Sequence, residues 1–175
     1  MSSTPPIETE RLRLRPVEAG DLDEMVRLHA DPLVARFMGS PDREWLTKWL
    51  RSSDEEWAER GHGRLAILAK ESDRFVGRSG LKYWPQFGET EIGWALHAQA
   101  RGQGYATEAA RAVLDWASPQ FDVPYFTAMI RPDNTASIAV AERLGMSPLR
   151  PDKLLGDPVT VWAIEPRGSA DTRSD

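Results

Sequence analysis

The chain has 175 residues, no cysteine, 41% hydrophobic residues and a formal net charge of -5. That length suits one domain with its own core, and zero cysteine excludes disulfides, CxxC metal or redox sites and a thiolate nucleophile. A mean hydropathy of -0.49, no apolar run near the ~20 residues that span a bilayer, and an opening MSSTPPIETE with neither cationic start nor apolar stretch argue against membrane spans and secretory signals. The pI near 5.3 supplies no global drive toward nucleic acid. These features predict a soluble cytoplasmic domain over 7–166, with disordered ends at 1–6 and 167–175.

Leu12, Leu14 and Pro16 alternate with Arg11, Arg13 and Arg15, which predicts a short half-buried strand. Asp21 and Glu24 read as a helix start, followed by the helical stripe Leu22, Met25, Val26 and His29. Ser40 and Pro41 predict the cap and first turn of a helix over about 42–60, and its acidic run Asp54, Glu55, Glu56 reads as a solvated face. The period then changes to two. Runs at 65–69, 75–83 and 90–96 are separated by turn-rich pieces, as in an antiparallel meander. In the third run Thr90, Ile92, Trp94 and Leu96 share one face, and Glu91, Gly93 and Ala95 the other. A glycine-rich turn leads into a helix ending near Ala117, with Ala106, Ala109, Ala110, Val113 and Leu114 recurring at three and four. A strand over 125–130 is stopped by Pro132, Asp133 or Asn134 caps another helix, and Gly145 ends it. A hairpin at 146–149 and 159–164 closes the chain. This order predicts an α/β fold with a mixed sheet and helices on both faces. Seven tryptophans, at 45, 49, 57, 84, 94, 116 and 162, suit a large core, although Trp45 and Trp49, four apart, could instead wall a cleft.

The chemistry concentrates at Arg101-Gly102-Gln103-Gly104-Tyr105-Ala106-Thr107. Two residues without Cβ let the backbone turn sharply and approach a ligand, and the unpaired N–H groups opening the next helix suit a pyrophosphate. Arg101 adds a positive charge. A Walker loop would need a lysine that is absent here. A dinucleotide fingerprint would need a third small position where Thr107 stands, and Asp122 precedes the next strand instead of ending it. A tight structural turn is the plain alternative.

The stretch from Glu91-Ile92-Gly93-Trp94 through Thr107-Glu108-Ala109 resembles the GNAT family of acetyl-CoA-dependent N-acetyltransferases, and its ribosomal-protein N-terminal branch in particular. The opening Glu8-Thr9-Glu10-Arg11-Leu12-Arg13-Leu14-Arg15 is similar to that branch, as are Asn134-Thr135-Ala136-Ser137 and Ala141-Glu142-Arg143-Leu144-Gly145-Met146. The resemblance covers about residues 7–165. It implies a mostly antiparallel central sheet splayed at its middle strands. It also implies CoA pyrophosphate on the backbone of Gly102, Gln103, Gly104, Tyr105, Ala106 and Thr107, and a pantetheine arm beside the main chain of Trp94, Ala95 and Leu96. Asn134 matches a position that meets the pantetheine; as a residue it equally reads as a helix cap.

An amine attacks a thioester only when unprotonated, so a site for that reaction needs a proton acceptor and help for the leaving thiolate. Without cysteine, direct transfer in a ternary complex is expected. Glu91 is the first candidate base, or else a cross-strand charge partner; Glu89 is the reserve, and His97 sits at the strand's end. His29 and His62 read as surface or packing residues, and no pair of histidines has metal-ligand spacing, so no metal is expected. Many relatives use a tyrosine on the helix after Asn134, where this chain offers Ser137, which could hydrogen-bond the leaving sulfur or simply pack. Acceptors in view are a protein N-terminus, a polyamine, an amino sugar or another small amine, with Glu55, Glu56 or Glu59 able to attract a cationic one. No nucleic-acid or membrane partner is expected, and the chain is expected as a monomer or homodimer. The alternative is a catalytically weak acyl-CoA-binding sensor or interaction module.

Overall fold

The computed structural model describes residues 6–168; the remaining parts of the two ends expected to be disordered, 1–5 and 169–175, lie outside the described residues. The elements are β1 (Ile7–Glu8), β2 (Leu12–Pro16), α1 (Leu22–Ala30), α2 (Pro32–Met38), α3 (Arg43–Arg60), β3 (Arg64–Ala69), β4 (Phe75–Trp84), β5 (Glu89–Leu96), α4 (Tyr105–Ala117), β6 (Phe126–Ile130), α5 (Thr135–Leu144), β7 (Ser147–Leu154) and β8 (Asp157–Ile164). They form one sheet ordered β1-β2-β3-β4-β5-β6-β8-β7, in which only β5 and β6 run parallel. The mixed, mostly antiparallel sheet expected from the sequence is the one observed.

Each face carries its own core. Leu81, Ile92, Phe126 and Ala128 pack with Ala110, Val113 and Leu114 of α4 and Ala141 and Leu144 of α5. The alanine face of α4 lets it lie close on the sheet. On the opposite face Ala66 and Ala95 meet Met25, Leu28, Leu46 and Leu50 from α1 and α3. Three of the tryptophans serve packing: Trp57 and Trp116 lie 5.9 Å apart with tilted rings, and Trp162 is buried.

Boundaries differ from the sequence-based expectation where elements are short or rich in proline. α2 was not expected as a separate helix. Asp31 accepts hydrogen bonds from the Leu33 and Val34 N–H groups, Pro32 fills the first turn, and Gly39 ends it at φ 78°. Seven residues are too few to show a helical period. α3 is capped by Asp42, which accepts from the Trp45 N–H at 2.8 Å, and not by Ser40. The closing hairpin is longer than expected because β7, with Pro148 and Pro151, is an edge strand, where a missing N–H is tolerated. Arg167, expected in the tail, is held to Ser118 Oγ through its N–H at 2.9 Å and to Asp115 through its guanidinium at 2.9 Å.

Gly80 has φ +115°, and a Cβ there would collide with the Gly63 carbonyl oxygen. Gly88 also has positive φ (+64°) but faces open space. Gly80→Ala is expected to lose about 2–4 kcal/mol from the combined strain and collision. Gly88→Ala should lose only about 1–2 kcal/mol from strain. Urea unfolding of the two variants checks the difference.

Candidate active site

β5 pairs with β4 along the whole length of β5, from Trp84↔Glu89 to Gly77↔Leu96. β6 pairs with β5 at one register position, Glu91↔Thr127. Beyond that pair the two strands part, so the β6-facing edge of β5 at Trp94, Ala95 and Leu96 has no strand paired to it among the described residues. The Glu91 carboxylate sits at the fork. Its Oε2 accepts the Met129 N–H of β6 at 3.0 Å, and its Oε1 accepts Trp84 Nε1–H at 3.0 Å. Burial raises this carboxyl above its usual range, against the pull of Trp84, Arg64, the Met129 N–H and Arg78. Its register partner is Lys82, but Lys82 Nζ lies over the Trp84 ring at 4.8 Å and forms no ion pair with it.

On one side of the opening stands the N-terminus of α4. Gly102 and Gly104 both adopt the left-handed backbone, φ 74° and 80°. Gly104 caps the helix without any side-chain capping bond, so the N–H groups of Tyr105, Ala106 and Thr107 have no partner within the helix. Among the described residues the buried Thr107 hydroxyl has no hydrogen-bond partner, and none comes within 4 Å of where a Gly102 Cβ would be. Gln103 is exposed and donates to the Gln99 carbonyl. The charge expected from Arg101 is not aimed here: its Nη2 donates to Asp31 at 2.6 Å and to the Leu96 carbonyl at 3.2 Å. Arg11 flanks the helix start instead, stacked on Tyr105 at 4.5 Å and paired with Glu108. Glu108 also accepts from Thr9 Oγ1 and the Arg11 N–H. Burial works to raise its carboxyl, but these hydrogen bonds together hold it below the usual range. The Thr9-Glu10-Arg11 segment thereby braces the first turn of α4.

On the other side stands α5. Asn134 caps it, Oδ1 accepting from the Ser137 N–H at 3.2 Å. Trp94 Nε1 donates to Ser137 Oγ at 3.3 Å, across the gap between β5 and α5. α2 ties both lips of the opening. Asp31 at its start holds Arg101, and Arg36 near its end holds Asp133 at 2.9 Å in the loop before α5. The resulting cleft has a volume of about 2040 Å³, well above the ~300–1,000 Å³ of an ordinary single-ligand pocket.

Residues 11–147 match the model of the acetyltransferase (GNAT) domain. The chain belongs to the GNAT acetyltransferase family. It is 30% identical over 168 residues to YkkB of Bacillus subtilis (strain 168), an uncharacterized protein, with 93% of this chain and 96% of that one aligned. An acetyltransferase from Agrobacterium tumefaciens str. C58 is 33% identical, with a TM-score of 0.82 over 94% of this chain and 96% of that one. RimL, a ribosomal L7/L12 alpha-N-protein acetyltransferase solved in complex with coenzyme A, shares the fold at a TM-score of 0.78 and 20% identity, covering 92% of this chain and 98% of that one.

This GNAT chain brings Glu91, Trp94, Ala95, Leu96, Arg101, Gly102, Gly104, Tyr105, Ala106, Thr107, Asn134 and Ser137 to one cleft. Gln103 does not line it. Glu89 lies outside, its two oxygens held by Arg150 at 2.7 and 3.1 Å. His97 is also outside, with Nε2 3.2 Å from Glu24 and its ring against Phe75. His29 and His62 are buried, and burial lowers the pKa of both. His29 Nδ1 meets the Gly39 carbonyl at the cleft edge. Among the described residues no group of three or more acidic or histidine side chains is placed to hold a metal ion, and no helix is long and apolar enough to cross a membrane. Trp45, Trp49 and Trp84 wall the cleft. Arg64, Arg78 and Lys82, none of them singled out by a motif in the sequence, line it too. Their signal was a charge in the middle of a predicted strand: Arg78 and Lys82, four apart in β4, and Arg64 at the start of β3 all fall on one sheet face.

A glutamine at 91 offers one acceptor oxygen to two donors. Glu91→Gln is therefore expected to lose roughly 1–3 kcal/mol of stability, read from denaturant midpoints at pH 7.

Proposed function

We propose that this GNAT protein moves the acetyl group of acetyl-CoA to a primary amine by direct attack within a ternary complex. One observation carries the reading: the fork between β5 and β6 opens between an uncapped helix N-terminus and a desolvated carboxylate. The donors present fit a CoA pyrophosphate. They are the unpartnered N–H groups of residues 105–107, the unpartnered Thr107 hydroxyl, and the open space over Gly102. The unpaired edge of β5 suits a pantetheine arm that pairs as a strand would, and the Asn134 amide N–H group, left free by its capping oxygen, suits the same arm.

Acetyl-CoA supplies a thioester carbonyl and a stable thiolate leaving group. Glu91 accepts the proton that the acceptor ammonium must lose, which frees the nitrogen lone pair to form the C–N bond as the C–S bond breaks. Ser137 Oγ receives Trp94 Nε1–H, so its own hydroxyl proton is available to the departing sulfur. With no cysteine in the chain, no thioester-linked acyl-enzyme forms.

Calorimetry should show acetyl-CoA binding, and a thiol-release assay across amines should give intersecting initial-velocity plots. A trapped acyl-enzyme would overturn direct transfer, and binding without release over a broad panel would favour an acyl-CoA-binding module. The pH profile carries a separate expectation. Only ionised Glu91 accepts a proton, and burial raises its pKa, so kcat/KM should fall as pH drops through a midpoint above the usual carboxylate value. In Glu91→Gln that acid limb should vanish, with kcat lowered by about 10²-fold or more.

A further inference from the structure

The charges on the acceptor side of the cleft do not cancel. Strand alternation places Arg64 of β3, Arg78 and Lys82 of β4, and Glu91 and Gly93 of β5 on the sheet face covered by α1–α3. Arg64 and Arg78 are only 9% and 6% exposed. Among the described residues neither guanidinium has an ion-pair partner, and Arg78 Nε is buried without any hydrogen bond. Arg78 Nη2 reaches only the Met38 sulfur, at 3.7 Å. Trp49 from α3 lies against both guanidinium groups, 6.0 Å from Arg64 and 5.1 Å from Arg78, and holds them in place without neutralising them.

The carboxylates near this cluster are Glu91, engaged by Trp84 and Met129, and Glu56 of α3, which accepts the Tyr83 N–H at 2.8 Å. Against them stand Arg64, Arg78 and Lys82. Burial, and secondarily the charge of Arg64, pushes the Arg78 guanidinium down to about 9, so it remains a cation at neutral pH. Arg64 Nη1 borders the hollow over Gly93, where it is the nearest atom, at 4.0 Å, to the site of a missing Cβ. Gly93 is two residues from Glu91 on the same face, about 7 Å along the strand. A buried cation without a counter-ion is costly, and a fork of N–H donors recognises a carboxylate or phosphate.

We infer that Arg64 and Arg78 form an anion subsite beside the reacting amine, and that the acceptor is a small amine carrying its own carboxylate or comparable anionic group. The inference rests on the acetyltransferase reading for its catalytic half. CoA phosphates are not the counter-ion, because the α4 N-terminus belongs to the opposite sheet face. Polycationic acceptors are excluded from this half of the cleft by like charge.

Two measurements test this. In thiol release with saturating acetyl-CoA, a panel of amino acids is compared with the matching carboxamides. The carboxylate forms should lead in kcat/KM by at least about tenfold, and Arg78→Met should collapse that ratio while leaving the calorimetric Kd for acetyl-CoA unchanged. In the second, acetate replaces chloride at constant ionic strength. Acetate should raise the thermal midpoint of the unliganded protein, and Arg78→Met should remove most of the rise. That variant should also unfold no lower than the parent, since it removes a buried cation that has no ion-pair partner among the described residues. Should it fail to fold, Arg78→Lys, with the charge but without the fork, should give a reduced rise. Equal turnover of carboxylate and carboxamide, a preference for cationic amines, no anion-dependent stabilisation, or weakened acetyl-CoA binding in Arg78→Met would each overturn the subsite. Absence of acetyl-CoA binding to the parent protein would instead overturn the acetyltransferase reading, and the anion arm would still decide the subsite.

Discussion

The hydrogen bond from the Met129 N–H to the Glu91 carboxylate is the contact on which the rest of the architecture turns. In a continuous parallel ladder that N–H would pair with the backbone of β5. Here a side chain takes it, the ladder ends after one register pair, and the two central strands diverge. A buried backbone donor has to be satisfied, so the fork exists only because something other than a strand does so. The same carboxylate thereby lies at the apex of the opening, half-buried and desolvated, where a proton acceptor is wanted.

A fork in the middle of a sheet also needs its lips held. α2 does this from one face through Asp31–Arg101 and Arg36–Asp133, one pair at each end of a seven-residue helix. The exposed Arg36–Asp133 pair contributes little stability by itself, about 0–1 kcal/mol, and the part-buried Asp31–Arg101 pair is the firmer of the two ties. From the other face Trp94 reaches Ser137, and the Thr9–Arg11 segment braces Glu108 in the first turn of α4. The two faces thus divide the work. The α4–α5 face carries the bare helix N-terminus and the α5 cap, and the α1–α3 face carries buried cations and indole rings.

That division accounts for the tryptophan excess. Trp57, Trp116 and Trp162 fill cores, whereas Trp45, Trp49, Trp84 and Trp94 border the cleft, three of them through an N–H or ring face directed at a polar group. An indole combines a large apolar body with one donor, which suits a wall that must exclude water and still orient a carboxylate or a hydroxyl. Arg64 and Arg78 are the complement: charges kept nearly buried with no ion-pair partner among the described residues, an arrangement that costs stability and makes sense where a ligand completes it.

Local chemistry was legible in the sequence wherever the backbone itself supplies it. The two glycines at positive φ, the uncapped start of α4, the Asn134 cap, the alternation along β5 and the alanine face of α4 all follow from residue type and spacing, and all are in the structure. What depends on partners distant in sequence was not legible. Arg101 reads as a phosphate ligand until the fold brings Asp31 to it from seventy residues away. Glu89 and Glu91 share a strand face and differ only because Arg150 of β7 reaches the first and the fork isolates the second. Arg64 and Arg78 look like ordinary strand charges until the sheet sets them side by side under Trp49 with no carboxylate of their own. Spacing along the chain determines which groups a turn or helix end presents; only tertiary packing decides which of them are neutralised, and therefore which remain for a substrate.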